Sequence, residues 1–332
     1  MLKIRNLVID PPLLLAPMAG LTHSAFRTVL LSFGGVGLLS TEMLSARRLP
    51  AENKFISPYL VRTSLENPLS YQLLVTATKE VGPAVKKLHS LEANAIDLNL
   101  GCPAPRIRKA GGGCLLMGRP EEVRAIVSET RRLTSLPLSA KIRLGEEFNE
   151  AQLRDFCLML EGEGIDMVTV HARLRKEQFC RKPHYHWVAK VKQWLSVPVI
   201  ANGSVFGVDD ARRCLEISGA DGIMIGRGAV SAPWIFRDIA QELYGFRGQS
   251  NHLDLPAIFY QFATNLEERF RPERRLGRLK EFTHYFKDNY LFGHRLAMAV
   301  QSSSNVEEAI SSAVAFFERN EPQGLTGMQA EA

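Results

Sequence analysis

Eight short apolar runs, each bounded by turn residues, recur along the first part of the chain: Leu13–Ala16, Val36–Ser40, Tyr71–Val75, Ala95–Asn99, Leu138–Ile142, Asp166–Val170, Val197–Ala201 and Gly222–Gly226. Successive runs begin roughly 25 to 40 residues apart, the length of a strand, a helix and their loops. The segments between them carry helical spacing, as in Val123, Ile126, Val127 and Leu133. A second example is Leu153, Phe156, Cys157 and Leu160, opened by Asn149 and closed by Gly162. Alternation of this kind predicts parallel strands with crossover helices, and eight units predict a (β/α)8 TIM barrel. An open doubly wound sheet would place Gly-x-Gly-x-x-Gly after its first strand, where this chain has Ala16-Pro17-Met18-Ala19-Gly20.

Beyond about residue 245 the strand pattern stops. Asp254 and Pro256 open a helix with apolar positions at Leu255, Ile258, Phe259, Phe262, Leu266 and Phe270. Leu279, Phe282 and Phe286 mark a second helix. Val306, Ile310, Ala313, Val314 and Phe317 mark a third, with Asn305 and Glu308 as its capping box. The expected organisation is a catalytic barrel over residues 1–245, an all-helical domain over 246–319 and a frayed tail over 320–332.

At 332 residues, 45% hydrophobic and 23% charged, the chain supports a large core, which argues against disorder. The uncharged stretch Thr28–Thr41 contains three glycines and falls short of a membrane span. Lys3 and Arg5 precede Leu13-Leu14-Leu15, but Asp10-Pro11-Pro12 interrupts any signal-peptide core. Five cysteines (102, 114, 157, 180 and 214) form no Cys-x-x-Cys pair, so neither a disulfide framework nor a metal site is expected. A monomer in the cytoplasm, with no membrane partner, is the expectation.

The net charge of +6 is clustered. Residues 173–192 carry a net +6, residues 269–287 a net +5, and residues 103–119 hold four basic side chains with no acid. One such patch reads as a solvated face; three point to a polyanion, and nucleic acid is the commonest.

Barrel enzymes place reactive groups just past the C-terminal ends of their strands. Gly226-Arg227-Gly228, after the last strand, suits a phosphate, because glycines admit backbone N–H groups and arginine supplies a bidentate charge. Lys141 alternates into the barrel mouth, where a charge is costly unless a ligand or a salt bridge meets it. His171 faces the same mouth. Gln72 and Asn202 can pair with a planar heterocycle or tie down loops. Cys102 is held in Gly101-Cys102-Pro103, where glycine allows an unusual backbone angle. Cys114, after Gly111-Gly112-Gly113 on a flexible loop, is its rival. A free thiol, with an ordinary pKa of about 8.5, is mostly protonated at neutral pH and so is ready to donate a proton. Cys157 and Cys214 fall on apolar helix faces as core filler.

Six motifs, taken in order, resemble the flavin-dependent tRNA-dihydrouridine synthases: Ala16-Pro17-Met18-Ala19-Gly20, Asn99-x-Gly101-Cys102-Pro103, Lys141-x-Arg143, His171-x-Arg173, Ala201-Asn202-Gly203 and Ile225-Gly226-Arg227-Gly228. The likeness covers about residues 10 to 240, and Lys176-Glu177-Gln178 with Trp187 looks most like the bacterial C-type branch. The resemblance implies FMN in the barrel mouth, reduced by NADPH, with hydride passing from flavin N5 to C6 of a uridine in tRNA and a proton from Cys102 to C5. It places Pro17, Met18 and Ala19 at the flavin ring, Gln72 and Lys141 in hydrogen bonds to it, and His171 beside Lys141. Asn202, Gly203, Gly226 and Arg227 would hold ribityl and phosphate, with Ser204 next to them where the family often has an acid. Ala172-Arg173-Leu174 likewise stands where many members have Gly and Arg-Thr.

Extruding a uridine from folded RNA costs a few kcal/mol, which basic contacts must offset. Arg106, Arg108, Lys109, Arg173, Arg175 and Lys176 are expected to line the approach. Arg271, Arg274, Arg275, Arg278 and Lys280 are expected to grip the tRNA body. Two other functions stay open on residues alone. One is a phosphosugar lyase or aldolase with Lys141 as Schiff base, and the other is a non-catalytic RNA-binding barrel.

Overall fold

A computed structural model describes residues 1–248 and 253–320. Its strands are β1 (Leu2–Ile4), β2 (Leu7–Ile9), β3 (Leu13–Leu15), β4 (Leu39–Ser40), β5 (Leu44–Ser45), β6 (Leu69–Leu74), β7 (Ala95–Asn99), β8 (Leu138–Arg143), β9 (Met167–His171), β10 (Val199–Asn202) and β11 (Gly222–Ile225). All eight expected runs are strands of one parallel sheet in the order β3-β11-β10-β9-β8-β7-β6-β4. The barrel closes where Leu15 N donates to Leu38 O (2.9 Å) and Leu38 N donates to Leu13 O (3.3 Å). Beyond the short β4, β5 continues the pairing along β6.

The β1–β2 hairpin was not expected from the sequence. Its strands are three residues long, too short for alternation to register, and Arg5 turns the chain at φ +52°. Ile4 and Ile9 join Leu14, Leu38, Met167, Ile200 and Met224 in a buried cluster that fills the barrel interior. The outer faces of the strands form a second, larger cluster with the surrounding helices. Asn149 caps the helix Glu150–Gly162 by accepting from Gln152 N (3.0 Å). The reversal after that helix falls at Gly164 (φ +94°), two residues later than expected, while Gly162 remains helical. Cys157 and Cys214 are fully buried on helices, as their spacing predicts.

Among the described residues four α-helices follow the barrel: Leu255–Arg269, Arg275–Phe286, Gly293–Ser302 and Val306–Phe317. Asp254 caps the first by accepting from Ala257 N (2.9 Å). Asn305 caps the last by accepting from Glu308 N (2.8 Å), but the Glu308 carboxylate returns to Ser304 N and not to the capping residue. Gly293–Ser302 was missed, because it buries only Leu296 and Val300 beyond its first residue. The first of the four lies on the barrel helix Ser24–Phe33. There Asn265 donates to Ala25 O (3.1 Å) and Arg269 to Ser24 O (3.0 Å). Phe262, Phe282 and Phe286 stack in series at 4.1 and 5.0 Å, so the helices share the barrel's outer core. The expected tail lies, from residue 321, outside the described residues. Among the described residues no helix is long and apolar enough to cross a membrane.

Candidate active site at the barrel mouth

The C-terminal strand ends surround one cavity of about 320 Å³. Pro17, Met18, Ala19, Gln72, Lys141, His171, Asn202, Gly203, Ser204, Gly226 and Arg227 all line it, as does Cys102. Register explains the convergence, since residues in register on neighbouring parallel strands point to the same side. Gln72 sits beside Asp97 and Asp97 beside Ser139; one layer higher Asn99 sits beside Lys141, and Arg143 beside His171, which neighbours Asn202.

These layers form two polar networks. Gln72 Nε2 donates to Asp97 (2.7 Å), Ser139 Oγ donates to the other Asp97 oxygen (2.6 Å), and Gln72 Oε1 accepts from Asn99 Nδ2 (2.8 Å). Lys141 Nζ donates to Asn202 Oδ1 (2.8 Å), while Asn202 Nδ2 donates to Met224 O (2.8 Å). Both amide ends of Gln72 and of Asn202 are thus engaged with protein groups. Asn202 acts on the cavity by positioning Lys141. Burial pushes Asp97 up and holds the Lys141 ammonium down at about 8, against which the nearby Asp97 charge is only a partial counterweight. His171 is held well below its ordinary value by burial first, then by Lys141, Arg143, Arg173 and Arg227. Its Nε2 lies 3.2 Å from Arg173 Nη1; a guanidinium only donates, so Nε2 accepts and the ring proton sits on Nδ1.

The Cys102 turn is fixed at both ends. Its N–H donates to Asn99 Oδ1 (3.0 Å), and its carbonyl accepts from Cys114 N (3.0 Å). Gly101 adopts no positive φ, contrary to expectation. Glycine is needed there because a Cβ would stand 3.1 Å from the Ile142 backbone. Gly113 does take φ +63°, and a Cβ on it would meet the Cys102 carbonyl at 2.5 Å. Cys114 is not on a flexible loop. It is buried in the short helical turn Gly113–Gly118, where burial pushes its thiol up, and it faces a separate cavity of about 250 Å³. Cys102, half-buried, is the cysteine that lines the mouth.

Arg173 must be reassigned. It is fully buried and therefore unavailable to RNA, and it clamps the 179–181 loop by donating to the Phe179 and Arg181 carbonyls. It also donates to Ser204 Oγ (2.6 Å), which fixes that hydroxyl at the cavity wall with its own proton still to donate. Gly203, at φ +132°, leaves room for this packing: a Cβ would lie 3.2 Å from Arg173 and 3.3 Å from His171. Arg106, Lys109, Lys176, Arg271 and Arg274 are exposed, whereas Arg108 and Arg175 are half-buried and Arg175 pairs with Glu146. Arg275 donates to the Phe270 and Glu267 carbonyls (2.7 and 2.8 Å), and Lys280 to Ser303 O (2.7 Å), so both tie helices together. Arg278 lies over the Phe270 ring at 4.6 Å.

Residues missed by sequence reasoning complete the site. Phe179 stacks on His171 (5.8 Å), and the Arg227 guanidinium sits between Phe179 (4.7 Å) and Phe206 (5.5 Å). Glu281 and Tyr285 reach the mouth from the helix Arg275–Phe286. The charged side chains on the lining are Lys141, Arg143, Arg173 and Arg227 against the single carboxylate of Glu281. Burial lowers all four cations, so an anion in the cavity would favour their charged forms.

Comparison with known proteins places this arrangement. The family described as dihydrouridine synthase (Dus) matches residues 14–315. The tRNA-dihydrouridine(16) synthase of Aquipseudomonas alcaligenes is 38% identical over 277 residues, 81% of this chain and 88% of that one. The protein of the same name from Neisseria meningitidis serogroup B is 31% identical over 321 residues, covering 92% and 95%. The tRNA-dihydrouridine synthase B of Shigella flexneri is 34% identical over 231 residues, covering 70% and 72%. In fold alone, the chain resembles the histamine dehydrogenase of Rhizobium sp. 4-9. The TM-score is 0.57 at 13% identity, over 80% of this chain and 50% of that one. With the family match running from the first barrel strand to the last helix and relatives this similar over most of their length, the chain belongs to the dihydrouridine synthase family.

Proposed function

We propose that this protein reduces the C5–C6 bond of the uridine at position 16 of tRNA, with FMN as cofactor, NADPH as reductant and Cys102 as proton donor. The observation that carries the reading is one cavity holding a fixed cysteine together with four cations, Arg143 and Arg173 buried and Lys141 and Arg227 half-buried. Two of the relatives above carry position 16 in their names. Family membership sets aside the lyase and the non-catalytic readings.

The residues fit FMN. The cavity's net positive charge suits a phosphate and the negative charge that a flavin ring gains on reduction. Pro17, Met18 and Ala19 would border the ring, Lys141 would donate to it, and Arg227 with Gly226 would take the phosphate. When bound, the flavin supplies hydride to C6 of the base. Cys102, held by Asn99, would carry a proton for C5. Neutral His171 keeps its Nδ1 proton as a donor, and the Arg173 clamp holds Phe179 and the 179–181 loop over the mouth. The exposed Arg106, Lys109, Lys176, Arg271 and Arg274 would meet tRNA phosphates, with Arg108, Arg175 and Arg278 behind them. The helical region then serves as an RNA-gripping part whose Glu281 and Tyr285 edge the mouth. We take the enzyme to act in the cytoplasm as a monomer.

Mass-spectrometric mapping of tRNA from cells with and without this chain tests the reading. A gain of two mass units at U16 is expected; identical maps would refute it.

A further inference from the structure

Four large apolar side chains stand in solvent along the long connection between β5 and β6: Phe55 (78% exposed), Ile56 (58%), Tyr59 (41%) and Leu65 (71%). The loop is built to hold them there. Ser57 N donates to Asn53 O (2.8 Å), Phe55 N to Asn53 Oδ1 (2.9 Å) and Val61 N to Ser57 O (3.1 Å), which winds residues 53–61 into successive turns. Leu60 is buried beneath them, and the buried Glu66 closes the loop by pairing with Arg27 and accepting from Thr63 N (2.8 Å). Phe55 and Tyr59 stand on two successive turns of this segment. Exposed aromatic rings fixed by a buried anchor are costly in water and mark an interaction surface.

The surroundings identify the partner. The Lys54 ammonium lies 5.0 Å from the Phe55 ring centroid. Glu66, at the foot of the loop, pairs with Arg27 on the helix Ser24–Phe33, whose Ser24 carbonyl accepts from Arg269, and Arg278 lies over the neighbouring Phe270 ring. Arg274, at the N-cap, is followed at spacings of four, three and four by Arg278, Glu281 and Tyr285 on the helix Arg275–Phe286, and the last two line the catalytic cavity. The loop that carries the rings is therefore anchored beside a ridge that leads to the mouth, with Arg278 about 10 Å along the helix from Tyr285. A base drawn into the mouth leaves neighbours without stacking partners, and aromatic rings beside a cationic track are the usual platform for unpaired bases.

We propose that Phe55 and Tyr59 form a stacking platform for an unpaired tRNA nucleotide neighbouring the target uridine, with Arg274, backed by Arg278, holding the backbone between platform and mouth. This inference rests on the tRNA reading above. The test measures the affinity of the full-length, flavin-loaded protein for an unmodified tRNA transcript at several salt concentrations, alongside NADPH oxidation by dissolved oxygen. Phe55→Ala and Tyr59→Ala should each weaken binding at least about fivefold, with the salt slope and the NADPH oxidation unchanged. Phe55→Leu, apolar but ringless, should match alanine, and Phe55→Trp should bind like the parent. Parental affinity in the Phe55→Ala/Tyr59→Ala double variant overturns the platform alone. So does a parental dimer that Phe55→Ala dissociates, because the rings would then face a second copy. A parent protein that fails to bind the transcript overturns the tRNA reading and the platform together.

Discussion

Replacing Lys141 by methionine separates what the barrel mouth does for stability from what it does for function. Burial holds the Lys141 ammonium at about 8 instead of 10.5, which corresponds to about 3 kcal/mol of destabilisation at neutral pH in the flavin-free protein. Methionine fills similar volume without a charge. It leaves Asn202 Oδ1 without its donor, a loss of about 1 kcal/mol, and withdraws a counter-charge from Asp97, which burial already pushes toward its neutral form. The expected balance is a flavin-free Lys141→Met protein more stable than the parent by about 1–2 kcal/mol at pH 7. In the parent, the folded state binds fewer protons than the unfolded chain between pH 8 and 10.5. Its stability therefore rises through that window, and the advantage of the variant must shrink there. Urea unfolding of both flavin-free proteins at pH 7 and pH 10 reads the difference directly, and tyrosine and cysteine titrations common to both cancel. The same variant should hold flavin at least about tenfold more weakly, because the charge was kept for the ligand. A variant less stable than the parent at pH 7, or a difference independent of pH, would refute the view that Lys141 is an unneutralised charge awaiting an anion.

His23 is buried against Phe262 and Phe270 with neither ring nitrogen hydrogen-bonded, and burial, then Arg278, Arg27 and Arg269, holds it neutral. Parental stability should therefore fall as pH drops below 6.5; His23→Leu should flatten that loss and raise the melting temperature at pH 5.5 by several degrees in thermal scans. Arg274→Ala should leave thermal stability unchanged while reducing the salt slope of tRNA binding by about one, as read by titrations at several ionic strengths. Arg275→Ala, which frees the Phe270 and Glu267 carbonyls, should instead cost about 1–2 kcal/mol in urea unfolding. Equal stability losses in the two variants would contradict their separate assignments.

The barrel was legible because strands buried on both sides read as short apolar runs, and their ends pointed to Lys141, His171 and Asn202 before any coordinates. The hairpin that fills the interior was not legible, since Leu2–Ile4 and Leu7–Ile9 are too short for a period to form. Arg173 shows why charge counts mislead. The sequence records a cation in a basic stretch, whereas the fold turns it inward to satisfy the carbonyls of its own loop. Asp97 left a readable trace, a carboxylate at an inward position of a buried strand, and so did Arg143 in Lys141-x-Arg143. Phe179 and Phe206 left none, because loop residues carry no period. Glu281 and Tyr285 reach the cavity through tertiary packing of a helix more than 50 residues beyond the last strand, which no local pattern encodes.

Anaerobic reoxidation of the NADPH-reduced protein by tRNA tests the central claim most directly, because it follows the flavin colour and the cysteine's role in one trace. The parent and Cys114→Ala should reoxidise promptly on adding tRNA. Cys102→Ala should bind flavin and accept electrons normally, yet reoxidise at least about 100-fold more slowly. A colourless parent protein, or a Cys102→Ala protein that reoxidises at the parental rate, would contradict it.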